Sequence, residues 1–276
     1  MAYKTLLVHV DNTKQSRGRI AAAAEIARRN DAHIVGLGIR VPMPLPAYAG
    51  PSIAPVFIPI MDDDGDEQID EAKALFDQVM DQEGLTGSSE WRAAGGDAAH
   101  VLDIHSRYAD LVVVGQTDYD LTPSSVWDLP DNLVLESTRP VLIVPHIGPR
   151  ATIGKTITVA WDGGRAAASA VYAALPLLKR ADQVQILTVR ASDTTKRWPG
   201  MDVAAYLARH GANVTASRFD GSEMSIDDVL LNSVSDTGAD MVVMGAYGHS
   251  RFRETVLGGT TRNILKHMTV PTLMAH

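Results

Sequence analysis

The segment KTLLVHVD at Lys4–Asp11 returns as KTITVAWD at Lys155–Asp162. ADLVVVG at Ala109–Gly115 returns as ADMVVMG at Ala239–Gly245, and RPVLIVP at Arg139–Pro145 as VPTLMAH at Val270–His276. One such match between β-rich segments can arise by chance; three in the same order do not. A repeat on this scale makes each copy a folding unit, so the 276 residues divide into two domains of about 140. The first pair is offset by 151 residues and the later pairs by about 130, which puts roughly twenty extra residues early in the first copy.

Each copy alternates strand and helix patterns. In the first, strands are expected at Thr5–Val10, His33–Arg40, Ser89–Ala94, Leu111–Val114 and Val141–Val144. Thr5–Val10 is a short apolar run rich in β-branched and aliphatic residues, as a buried parallel strand requires, while Ser89–Ala94 is the weak member of the set. Helices are expected over Ser16–Asp31, over 97–108 and near 129–137. Another is marked by Ile69, Ala72, Leu75, Phe76, Val79 and Met80, which recur at helical spacing. The second copy places strands near 156–161, 184–190, 213–219, 241–244 and 272–275. Strands separated by helices imply right-handed crossovers and a parallel sheet covered on both faces. The expected fold is therefore α/β, with two tandem domains at 1–147 and 152–276, each an open five-stranded parallel sheet with helices on both faces. The seam HIGPRATIG, His146–Gly154, carries Gly and Pro and reads as the linker.

The extra residues of the first copy form Val41–Glu67, with six prolines between 42 and 59. That density argues against helix and central strand and for a long surface loop. Its apolar Val56, Phe57, Ile58 and Ile60 suit a flap over a site or a partner surface.

Bulk composition excludes several classes. The net charge of −8 opposes broad binding to nucleic acid or an anionic membrane. With no cysteine, disulfides and thiolate chemistry are excluded. No apolar run approaches the ~20 residues of a membrane helix, and the N-terminal apolar run is too short for a signal peptide. A soluble, cytoplasmic protein is expected.

The chemistry concentrates in MGAYGHSRFRETVLGGTTRNIL, Met244–Leu265. Gly245 follows a strand, where ligands of open parallel sheets bind. Gly245 and Gly248 let backbone approach a ligand without Cβ interference. Gly258 and Gly259 precede a helix, with Thr260 or Thr261 near its cap, and a helix N-terminus suits an anion. From Ala246 to Met268 there are four bases, Arg251, Arg253, Arg262 and Lys266, against one acid, Glu254. The matching stretch Gln116–Thr138 has five acids, Asp118, Asp120, Asp128, Asp131 and Glu136, and no Lys or Arg. A phosphate would be repelled there, so one nucleotide site is expected, in the second half.

The run GAYGHSRFRETVLGG resembles the universal stress protein motif of Gly, two residues, Gly, nine residues, Gly and a small residue. The Asp after the first strand of each copy, and Val-Pro before the last strand, are also similar to that family. The resemblance covers the whole chain as two tandem domains. It implies a flavodoxin- or Rossmann-like fold, similar to that of the adenine-nucleotide alpha-hydrolases, which binds ATP in some members. On that resemblance Asp162 contacts ribose or adenine, Gly245, Gly248 and Gly258 hold phosphates, and backbone near Val189 contributes. Gly259 stands where a hydroxyl residue is usual, with Thr260 as its substitute, and Ala160 stands where Pro is common. Met244 and His249 flank the glycines, and Arg251 supplies charge. No metal is expected beyond Mg²⁺ carried by the nucleotide.

Plainer readings stand beside these. Asp162 can cap the helix that follows it; Arg251, Arg253 and His249 can be solvated loop residues. Trp161 can stack on an adenine or obstruct it, whereas Trp91, Trp127 and Trp198 read as packing residues. His100 and His105 miss the i, i+4 metal spacing. No G-x-S-x-G elbow or Walker A loop is present, so no catalytic set emerges beyond slow ATP hydrolysis. The expected function is an ATP-binding regulatory or stress-tolerance protein with nucleotide in the second domain. The alternative is a non-binding interaction scaffold whose paired domains imitate a homodimer. Intramolecular pairing allows a monomer, because each half covers the other's interface, and equally allows a homodimer.

Overall fold

The computed structural model describes residues 2–41, 54–117, 129–148, 152–189, 199–219, 224–247 and 259–276. The N-terminal lobe runs β1 (Thr5–Val10), α1 (Lys14–Asn30), β2 (His33–Arg40), α2 (Ala54–Gln82), β3 (Ser89–Gly95), α3 (Ala98–Ser106), β4 (Leu111–Gly115), α4 (Leu129–Glu136) and β5 (Val141–Val144). The C-terminal lobe repeats the order with β6 (Thr156–Ala160), α5 (Arg165–Leu178), β7 (Gln183–Val189), α6 (Pro199–Arg209), β8 (Val214–Phe219), α7 (Ile226–Thr237), β9 (Met241–Gly245), α8 (Gly259–His267) and β10 (Thr272–Ala275). Every expected strand is present within about one residue; the central strands are short apolar runs buried on both faces, whereas the edge strands β3 and β8 are half-exposed.

Part of the repeat has a local structural cause. Asp110 accepts the backbone N–H groups of Lys4 and Thr5, at 2.7 and 3.0 Å. Asp240, its counterpart, accepts those of Lys155 and Thr156 at 3.1 and 3.0 Å. Each Asp satisfies donors at the start of a central strand, which otherwise have no ladder partner.

The long helix α2 corrects one expectation. It takes in Pro55 and Pro59, so proline does not keep 54–67 out of helix. Pro55 lies in the first turn, where an N–H has no intrahelical partner to lose. Pro59 forfeits one backbone bond, a cost absorbed by the anchored remainder, where Ala72, Phe76, Val79 and Met80 are buried. The described part of the insertion is thus a helix that continues into the expected amphipathic one; residues 42–53 lie outside the described residues. Trp91 packs on Phe76 as expected, with ring centroids 5.6 Å apart, while Trp127 and Trp198 lie outside the described residues.

The strands form one sheet in the order β3-β2-β1-β4-β5-β10-β9-β6-β7-β8. All pairings are parallel except β5 with β10. Each half supplies the expected five parallel strands, and the halves join their last strands edge to edge. The register sets Leu142 opposite Leu273. These are equivalent residues of the repeat, so the antiparallel junction is centred on a pseudo-two-fold axis, as in an isologous dimer. Both leucines are fully buried, each worth about 2 kcal/mol in apolar burial.

Core packing also crosses the junction. On one face α1, α2, α5 and α6 cover a continuous apolar layer that includes Ile20, Phe76, Leu142, Ala170 and Leu207. On the other, α3, α4, α7 and α8 cover a layer that includes Leu102, Leu133, Val234 and Ile264. Specific bonds reinforce the pairing. The Tyr3 hydroxyl donates to the Ala173 carbonyl at 2.7 Å. The buried Gln116 amide donates to the carbonyls of Leu265 and Lys266, at 2.9 and 3.1 Å, near the C-terminus of α8.

Candidate functional site

In each lobe strand order reverses once, between β1 and β4 and between β6 and β9. The carboxyl ends of those strands open a crevice, the usual ligand position of open parallel sheets. In the C-terminal lobe β6 ends at Ala160, two residues before Asp162, and β9 ends at Gly245. Ala160 and Met244 lie side by side in the ladder, and β7 ends at Val189. Helix α8 starts at Gly259, which puts Thr260 and Thr261 in its first turn. The fold therefore gathers Ala160, Asp162, Val189, Met244, Gly245, Gly259 and Thr260 around one end of the sheet. Gly248, His249, Arg251 and Gly258 lie outside the described residues.

Local geometry explains several of these positions. Asp162 is exposed, and its Oδ1 accepts the Gly164 N–H at 2.7 Å. It thus shapes the turn into α5 but does not cap the helix as the plainer reading expected, since the N-cap is Gly164 and has no side-chain cap bond. Among the described residues the second oxygen of Asp162 has no hydrogen-bond partner, and a carboxylate oxygen accepts from a hydroxyl or amino donor. A Cβ on Gly245 would stand 2.5 Å from the Ala166 carbonyl carbon. The first turn of α5 therefore lies directly against the end of β9, and only glycine permits that approach. Trp161 packs partly buried against the α5–α6 layer, with its indole N–H buried and unpartnered. Ala160 belongs to the opposite layer.

The equivalent crevice of the N-terminal lobe is filled from within. Asp11, counterpart of Asp162, accepts Arg19 at 2.8 Å and the Thr13 N–H at 3.0 Å. Arg19 is 4% exposed and also donates to Ser16 Oγ at 3.0 Å. Its guanidinium lies over the end of β4, 2.5 Å from where a Gly115 Cβ would be. Burial works to raise the Asp11 carboxyl, but the charges of Arg19 and His9 and the bonds from Thr13 and Arg19 hold it well below the ordinary range. Burial pushes His9 down to about 4, with Arg19 adding to the shift and Asp11 opposing it. In the repeat, Ser16 and Arg19 become Ala167 and Ala170. Sequence reasoning missed this plug, although aligning the two copies exposes Arg19 against Ala170.

Two further residues were missed. Tyr247, inside the glycine motif, has a left-handed φ of 55°. Its N–H donates to Thr261 Oγ1 at 3.4 Å, which ties the end of β9 to α8. Its hydroxyl donates to Asp131 Oδ1 at 2.8 Å. Asp131 is 2% exposed. It was expected among the acids that repel phosphate, yet it is a buried acceptor for the other lobe. Glu136 is exposed on α4, and Asp118, Asp120 and Asp128 lie outside the described residues. Among the described residues no cluster of His, Asp or Glu could hold a metal ion, and no helix is long and apolar enough to cross a membrane.

Fold and topology define a doubly wound α/β protein of two pseudo-symmetric lobes, each with one strand-order reversal. Residues 154–276 match the model of the universal stress protein family. A universal stress protein of Synechocystis is 36% identical over 47 residues, which span 17% of this chain and 16% of that relative. Over 98% of this chain and 95% of the other, the fold is similar to a universal stress protein of Archaeoglobus fulgidus, with a TM-score of 0.79 at 17% identity. A putative universal stress protein of Pseudomonas aeruginosa covers 99% of this chain and 93% of its own, with a TM-score of 0.62 at 14% identity. At those identities the structural matches establish the fold.

Proposed function

We propose that the C-terminal crevice binds an adenine nucleotide, ATP with its Mg²⁺, and that the N-terminal crevice does not. The observation that carries this reading is the contrast between the two aspartates. Asp11 is consumed by Arg19 inside its own lobe, whereas Asp162 is exposed beside small residues at the start of α5. An ionised carboxylate is an acceptor, which suits the ribose hydroxyls or the adenine amino group. The starts of α5 and α8 supply N–H groups and positive dipole ends for phosphate. Gly248, His249, Arg251 and Gly258 extend that cradle by their place in the sequence. The role is regulatory: ATP acts by binding one conformational state more tightly than another.

Calorimetric titration with ATP tests the reading. Wild-type protein is expected to bind one nucleotide per chain. Gly248→Asp, which copies Asp118 of the first repeat, and Arg251→Glu are expected to abolish binding. Full affinity in both variants refutes this site. No binding by the wild type at millimolar ATP leaves the scaffold reading, which the continuous ten-stranded sheet favours.

A further inference from the structure

We propose that the N-terminal lobe positions the C-terminal nucleotide site, and that the hydrogen bond from Tyr247 to Asp131 is the device. The inference rests on the nucleotide reading above. Tyr247 is two residues beyond Gly245 at the end of β9 and carries a left-handed φ. That conformation is costly for a residue with a Cβ, and it persists only where surroundings hold it. The surroundings here are specific. The phenol reaches across the lobe junction to buried Asp131 on α4. The backbone N–H meets Thr261 in the first turn of α8. The ring stands edge-on to His276, whose Nδ1 is 3.0 Å from the Ala246 carbonyl. One side chain thus sets the exit of β9, and through it the spacing to the α8 N-terminus.

The residues that make these bonds are not repeated in the other copy. Gln116 holds the far end of the same helix through the carbonyls of Leu265 and Lys266. At the positions of Gln116, Asp131 and Tyr247 the other copy carries Ala246, Thr261 and Thr117. Alanine and threonine cannot span the junction as glutamine and tyrosine do. The lobe whose own crevice is plugged by Arg19 therefore serves as the fixed support for the open one.

Hydrogen exchange and ATP titration on the full chain test this, with Tyr247→Phe and Asp131→Asn. Without ligand, Tyr247→Phe is expected to speed exchange of the 241–247 and 259–267 amides by about fivefold or more, leaving β1 and β2 unchanged. Its ATP dissociation constant is expected to rise about tenfold, the size of one lost buried hydrogen bond. Asp131→Asn keeps an acceptor oxygen and is expected to stay within about twofold of wild type in both measurements. Unchanged exchange in both segments, or acceleration spread evenly over the sheet, overturns the proposal. So does unchanged ATP affinity despite local acceleration. If wild-type protein binds no ATP, the nucleotide reading fails separately, and the exchange result alone decides whether the contact holds β9 against α8.

Discussion

His9 shows how a single buried residue makes the fold respond to pH. It is 8% exposed, its Nδ1 has no hydrogen-bond partner, and Arg19 is its charged neighbour together with Asp11. The folded pKa of about 4 lies below the ordinary 6.5. The unfolded chain therefore takes up the proton first. Stability is complete above the unfolded pKa and is lost as pH falls from there toward about 4, by an amount on the order of 3 kcal/mol. Urea denaturation midpoints at pH 7.5 and pH 4.5 measure the loss, and His9→Gln is expected to remove most of it. An equal loss in that variant shows that the sensitivity lies elsewhere. Asp11 acts only at lower pH, because its folded pKa is depressed and its contribution persists until the carboxylate protonates. His9 and Asp11 are visible in the sequence as residues near a strand end. Their environment is not, because it depends on Arg19 folding back from the second turn of α1.

Between elements, α5 approaches β9 closely. A Cβ at Gly245 meets helix backbone, which cannot rotate away; one at Gly115 meets the tip of the Arg19 side chain, which can. Gly245→Ala is therefore expected to cost about 1–3 kcal/mol of stability by overpacking, and Gly115→Ala clearly less. Chemical denaturation of both variants makes the comparison, and equal costs contradict this packing. The strands were legible because their apolar runs are short and their period is unambiguous. The start of α2 was not. Proline density argues for a loop by local rules, but Pro55 falls in the first turn of α2, where the penalty is small, and the bond lost at Pro59 is outweighed by the packing of Ala72, Phe76, Val79 and Met80. The candidate site was legible in part: Asp162, Gly245, Gly259 and Thr260 do converge, because strand ends and helix starts meet at every strand-order reversal.

For the whole molecule the decisive feature is the β5–β10 junction. Both core layers run through it, so neither lobe can open without exposing apolar surface of the other. A single cooperative unfolding transition is expected, with fluorescence and circular dichroism midpoints coinciding. Two resolved transitions would show that the lobes fold independently. By itself the sequence determined that two α/β copies exist, where their strands lie, and which copy keeps the glycines; periodicity and repetition are local properties of a chain. Only the tertiary structure decided that the copies share one sheet, that Arg19 fills one crevice, and that Tyr247 leans on Asp131. Those contacts join residues 116 to 149 positions apart, or turn on a side chain's path through space, and no local pattern encodes either.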